Sequence, residues 1–117
     1  MSWFKVDDKL HSHPKRYRAG LRAMGLWVTA GSWSSDQLTD GHIPAHMLAV
    51  LGGRPADAKA LVDAELWVPT GDGWRFHDWQ AMNPSRRQVE EQRTKNAEKL
   101  AKWRRQKREE REGEADV

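Results

Sequence analysis

Arg54, Lys59 and Arg75 are the cations of the segment GGRPADAKALVDAELWVPTGDGWRFHDW, which runs from Gly52 to Trp79. An arginine near the start of a helix can hold guanine through a bidentate pair. A lysine further along the helix can hold a phosphate, and an arginine on a hairpin can reach a phosphate or the minor groove. Asp57, Asp63, Glu65, Asp72 and Asp78 share the segment. Acids repel phosphate, so the alternative is a helix that only packs. Asp57 and Lys59 are then ordinary solvated charges, and Asp72 turns to water.

A denser cationic set lies further on. Arg86, Arg87, Arg93, Lys95, Lys99, Lys102, Arg104, Arg105, Lys107 and Arg108 fall among residues 84–108, against Glu90, Glu91 and Glu98, for a net charge of +7. Residues 1–83 carry nine basic and nine acidic side chains and are neutral, while residues 109–117 carry −4. A concentrated cationic run beside a neutral domain implies an anionic partner, and phosphate neutralisation is indifferent to base sequence. The alternative is a solvated helix laced by ion pairs such as Glu91–Lys95 and Glu98–Lys102. Lys9, Lys15, Arg16, Arg18 and Arg22 form a smaller basic set, either phosphate clamps or the wet face of a helix.

Other chemistry finds little support. The chain of 117 residues has no cysteine, which excludes disulfides and thiolate metal sites. His11 and His13 are two apart and His42 and His46 four apart, but no His-Glu-x-x-His pattern occurs, so neither metal nor other cofactor is expected. No phosphate loop or nucleophile elbow is present, and Ser32, Ser34 and Ser35 read as residues of a helix end. An enzyme is not expected, nor a small-molecule substrate. No apolar run reaches membrane length and MSWFKVDDKL lacks a signal-peptide core, so a cytoplasmic protein is the simplest reading.

The elements that position these residues follow from proline, glycine and apolar spacing. WFKVDDKL is a short strand or extended arm. Pro14 opens a helix to about Ser34, with Tyr17, Leu21, Met24, Trp27 and Val28 as its apolar face. Gly20, Gly25 and Gly31 weaken that helix, which makes sense where another element packs closely. Asp40-Gly41 is a turn and His42-Ile43 a short strand. Pro44 opens a second helix over Ala45–Leu51. Pro55 opens a third, with Ala58, Leu61, Val62 and Leu66 facing inward. LWVP, the turn TGDG and WRFHDW make a hairpin, Trp74 and Phe76 on one side, Arg75 and His77 on the other. His77 and Asp78 can bond to each other and tie the strand to the last helix.

Seven tryptophans stand in the chain, six before Gln80; large rings let few residues make a core, so a compact domain over 1–83 is expected. Residues 84–112 form a charged helix, part of it frayed until it meets a partner, and 113–117 a disordered acidic end. Its apolar residues are Val89, Leu100 and Trp103, a stripe too thin for a core. Val89, Asn96 and Trp103, seven apart, can make a weak coiled-coil seam, and a lone ring such as Trp103 often marks a partner contact.

The expected fold is α+β, mainly α. Helix, strand, helix, helix and two-stranded wing make a winged helix-turn-helix, followed by the long charged helix. WFKVDDKLHSHPK, AMGLWVTAGSW, LTDGHIP, LVDAELW and GWRFHDWQAMNPS also resemble the N-terminal domain of phage replication-initiation and replisome-organiser proteins of the DnaD type, across residues 2–85. The resemblance implies a winged helix, double-stranded DNA binding and the loading of replication proteins in a bacterial host. A short phage gene regulator on the same domain is equally compatible. A protein-interaction module, dimerising or docking on a replication or host protein through the long helix, is the alternative of a different class.

Overall fold

A computed structural model describes residues 3–115. The chain divides into two compact units, Met1–Ser85 and Arg86–Val117. The described chain is α+β and mostly helical, and its one sheet lies in the first unit. Its order is α1 (Pro14–Ala19), α2 (Leu21–Gln37), β1 (His42–Pro44), α3 (Met47–Val50), α4 (Pro55–Asp63), β2 (Trp67–Thr70), β3 (Gly73–Phe76) and α5 (Trp79–Met82). The second unit is one helix, α6 (Arg86–Ala115), unbroken along its length. It passes the expected end at Glu112, so residues 113–115 of the acidic end are helical; Asp116 and Val117 lie outside the described residues.

The expected helix from Pro14 to Ser34 is two helices. Gly20 stands between them at φ 85°, ψ 160°, a conformation open to glycine and closed to side chains. The break also changes the buried face. Ala23, Met24, Leu26, Ala30, Gly31, Ser34 and Ser35 face inward. Tyr17, Leu21 and Val28, expected in the core, are 66%, 82% and 46% exposed. Gly31 meets the expected condition, since a Cβ there would fall within the Phe4 ring. Gly25 does not: it is exposed, with nothing within 4 Å of an added Cβ. A mid-helix glycine so placed costs about 1 kcal/mol relative to alanine.

The N-terminal segment is an extended arm that leads into a 3₁₀ turn at Leu10–Ser12. Its Phe4 enters an aromatic cluster. Phe4 stacks on Trp79 with centroids 5.7 Å apart and meets Trp27 edge-on at 5.0 Å. Phe76 is the hub, touching Phe4, Trp27, Trp67 and Trp79. The arm is pinned where the Lys5 amide donates to the Asn83 side-chain oxygen at 2.9 Å, on a buried asparagine. Trp67 and Trp79 are buried, while Trp27, Trp33 and Trp74 are half-buried against the core. Trp3 is 72% exposed and takes no part in it, against expectation.

Asp40 (φ 53°) and Gly41 (φ 85°) are both left-handed, and the His42 amide donates to the Thr39 carbonyl at 3.1 Å. That is the geometry of a type I′ turn. The buried Ser34 hydroxyl accepts the Gly41 amide at 2.8 Å and holds the turn against α2. β1 then pairs antiparallel with β3, which also pairs with β2, so the order is β1-β3-β2. Gly73 must be glycine, since a Cβ there would strike the Ile43 carbonyl. Pro44 ends β1 rather than opening a helix. The Ala45 amide is drawn to the Asp72 carbonyl at 2.8 Å, so α3 starts only at Met47.

α4 stops at Asp63, before the expected Leu66. The Leu66 amide returns to the Leu61 carbonyl at 2.9 Å and the Glu65 amide to Val62 at 3.0 Å. This is a Schellman end with Glu65 in the left-handed position at φ 62°. Glycine there removes the penalty of a Cβ. Glu65→Gly is therefore expected to raise stability by about 1 kcal/mol in urea unfolding. A loss on that substitution would mean the Glu65 side chain itself stabilises the fold.

Candidate nucleic-acid interface

The start of α4 is fixed by an acid, not a base. Arg54 is the N-cap, with φ −112° and ψ 158°, and its amide donates to Asp57 Oδ2 at 2.9 Å. Asp57 is 7% exposed, and its Oδ1 receives Arg22 Nε at 3.2 Å across to α2. The carboxylate faces the helix amides, where a negative charge is favoured. Asp57 is thus not the solvated charge of the alternative reading; it holds α4 to α2. The exposed Arg54 guanidinium makes no ion pair among the described residues. Lys59 Nζ bonds Asp63 Oδ2 at 2.9 Å. That hydrogen bond, and then the charge of Asp63, holds the Lys59 ammonium above its ordinary pKa. Solvent screens so exposed a pair, so a phosphate can displace it.

Other basic residues of the first unit are used locally. Lys15 Nζ donates to the Glu65 carbonyl at 3.2 Å, just past α4. Arg16 Nε donates to the His11 carbonyl at 2.8 Å, and its guanidinium lies 4.2 Å from the Tyr17 ring centroid. His13 Nδ1 accepts the Lys15 amide at 3.1 Å and caps α1. These fold-building bonds lie up to 50 residues apart in sequence. Spacing along the chain does not reveal them.

Arg75 is exposed on β3, with His42 of β1 and Val68 of β2 as its register partners. It lines an open, polar cleft of about 420 Å³ with Asp40, His77, Asp78 and Gln80. The cleft mixes both signs of charge. His77 Nδ1 lies 2.9 Å from Asp78 Oδ2, but Asp78 stands just ahead of the short α5, with no side-chain bond to that helix's amides. The pair therefore ties β3 to a helix that the sequence did not signal. Arg54 and Lys59 on α4, and Arg75 on β3, stand as separate cationic points.

Asp72, at the hairpin tip, is held by its neighbours. Its Oδ1 lies 2.9 Å from His42 Nε2 and accepts the Thr70 hydroxyl at 3.0 Å. These bonds, the histidine's first, lower the carboxyl pKa below its usual 3.8. A folded-state value below the unfolded one means the stabilisation is present above pH 3.8 and is lost as pH falls through the folded value. The Asp72 carboxyl is expected to titrate below 3.8 by NMR and to move back up in His42→Ala. A midpoint that ignores His42→Ala would refute the link.

On α6 the basic residues sort into two groups. Arg86 pairs with Glu90 at 2.9 Å, Arg87 with Glu91 at 3.0 Å and Lys107 with Glu110 at 3.6 Å. Glu91 thus takes Arg87 in place of the expected Lys95. Arg93, Lys95, Lys99, Lys102, Arg104, Arg105 and Arg108 are exposed and make no ion pair among the described residues. At about 100° per residue, Lys95, Lys99 and Lys102 share one face, while Arg93, Arg104 and Arg108 lie nearly opposite. Val89 is half-buried, whereas Leu100 and Trp103 are 47% and 55% exposed, with Lys107 Nζ 5.9 Å from the Trp103 ring centroid.

Among the described residues, no group of three or more histidines and acids is placed to hold a metal ion, and no helix is long and apolar enough to cross a membrane. Ser34 is engaged with Thr39 and Gly41 and has no histidine partner among the described residues. No family model, no curated protein and no solved structure matches the chain.

Proposed function

We propose that this chain binds double-stranded DNA. In this reading the first unit is a winged helix-turn-helix and α6 supplies sequence-independent affinity. Its setting is the cytoplasm of a bacterial host, in phage or prophage replication initiation or in the control of phage genes. The observation that carries the reading is the set of seven exposed cations from Arg93 to Arg108 on α6 without ion-pair partners among the described residues, together with a neutral first unit. Free cations on a rigid rod release counterions when they meet polyphosphate. The order of α2, β1, α3, α4 and the β2–β3 hairpin supports the winged-helix assignment. It makes α4 the reader, with Arg54 at its start, and the hairpin the wing carrying Arg75. Lys59 paired to Asp63, and Asp57 withdrawn into the fold, leave α4 a weak reader of bases. Most affinity therefore comes from phosphates.

The test is affinity for duplex and single-stranded DNA at two salt concentrations. Duplex binding that falls steeply with salt is expected; no binding of duplex at low ionic strength would end the proposal. The second reading, docking on a protein through α6, draws on the exposure of Leu100 and Trp103. It predicts that Trp103→Ala weakens partner capture and leaves DNA affinity in place.

A further inference from the structure

Trp103 stands at the seam between the two cationic flanks of α6. At about 100° per residue, Lys95, Lys99 and Lys102 lie to one side of it and Arg93 and Arg104 to the other. The strip centred on the ring holds Gln92, Asn96, Lys99, Leu100, Gln106 and Lys107, each within about 60° of it and each exposed. Glu90, Glu91 and Glu98 are turned about 120–140° away. From Gln92 to Lys107, a length of about 22 Å, the strip therefore carries no acid. Glu110, the next acid along it, is taken by Lys107 at 3.6 Å.

Few occupants suit such a strip. Trp103 and Leu100 are its only large apolar residues, whereas a partner helix needs them turn after turn. A second copy of α6 would set one cationic strip against another. A nucleotide meets what is present: its phosphate the cations, its base the ring, its base edge the amides of Asn96 and Gln106. The Trp103 ring is 55% exposed, with Lys107 Nζ 5.9 Å from its centroid, so ring and cation stand side by side. A paired base keeps both faces inside the duplex and offers the ring nothing. An unpaired base has a face to give. A single strand is also flexible enough to cross the ring and touch both cationic flanks, where a rigid duplex meets one.

We propose that α6 holds a site for single-stranded DNA, in which an unpaired base stacks on Trp103 while Lys99 and Lys107 hold the neighbouring phosphates. This rests on the reading of α6 as a DNA-binding helix and adds to it a preference for unpaired bases at one ring.

The full chain is tested by fluorescence anisotropy at low salt on a labelled oligothymidylate, which does not pair with itself, and on a duplex of the same length. Both are expected to bind. Trp103→Ala should weaken the oligothymidylate complex about tenfold and leave the duplex complex within about twofold, since only the first loses a base–ring stack. Trp103→Phe keeps a ring and should retain most of the affinity. The helix should survive both changes, alanine being the best helix former, and circular dichroism checks this. The slope of log K against log salt for oligothymidylate should not move in Trp103→Ala, because no cation is removed. If neither DNA binds, the DNA reading of α6 falls and this site with it. If the duplex binds but Trp103→Ala weakens both complexes alike, or neither, the single-strand site alone is overturned. Oligothymidylate that binds through Trp103 while the duplex does not would uphold this site and end the duplex reading.

Discussion

Trp67→Ala is expected to cost the first unit about 3–5 kcal/mol, enough to leave it partly unfolded near physiological temperature. Trp67 is 1% exposed, the largest side chain to be so fully buried. Its ring meets Trp74 and Phe76, each at 5.7 Å between centroids. It stands four residues past the end of α4 and opens β2, so a cavity there loosens helix from sheet at once. A unit of this size has a total stability near the low end of about 5–15 kcal/mol, and the melting temperature should fall by roughly 15–30 °C. Trp67→Phe separates packing from polarity. The indole Nε1 is buried without a hydrogen-bond partner among the described residues, so phenylalanine forfeits ring volume but no bond. It is expected to cost well under half as much as alanine. A Trp67→Ala melt within about 1 kcal/mol of the parent would show that the aromatic cluster is not what holds the unit together.

The parts of the fold legible in the sequence are those that punctuation dictates. Pro55 opens α4, Asp40-Gly41 turns the chain into β1, and Gly71-Asp72 joins β2 to β3. The misread parts share a cause. Tyr17, Leu21 and Val28 have the period of a buried helix face, yet α2 turns inward a face rich in alanine and serine, with only Met24 and Leu26 as large residues. Hydrophobicity favours the wrong stripe, because close packing on Phe4, β1 and α4 asks for small side chains, not large ones. Gly20 reads as a tolerated helix glycine because spacing cannot distinguish a hinge from a weak point. α2 and α4 end at Leu38 and Glu65, both left-handed without glycine. Such ends depend on tertiary packing and carry no local mark.

The candidate interface is legible as composition and illegible as pairing. The cationic run on α6 is read directly from the chain, and the helix bears it. Which cations are free is decided by geometry. Arg86 and Arg87 are taken by the glutamates one turn on, Lys59 by Asp63, Arg22 by Asp57, and Lys15 by a carbonyl 50 residues away. What is left over is concentrated on the middle of α6.

Neutralising Lys99, Lys102, Arg104 and Arg105 together to glutamine is therefore expected to have the largest effect on DNA affinity. Each phosphate that a removed cation no longer neutralises lowers the slope of log K against log salt by about 0.9. The four together lower it by up to roughly 3.6, and duplexes of every sequence weaken alike. The helix should survive, since glutamine is a good helix former and none of the four makes an ion pair among the described residues. Because Lys95, Lys99 and Lys102 lie nearly opposite Arg93, Arg104 and Arg108, a single duplex can engage only one of these faces closely. Glutamine at one trio should then remove most of the slope and at the other little, and the contrast identifies the side that meets DNA. Equal, small reductions from both trios would mean a diffuse ionic cloud with no docked face. An unchanged slope in the four-site variant would remove α6 from DNA binding and leave Leu100 and Trp103 as its reason to be exposed.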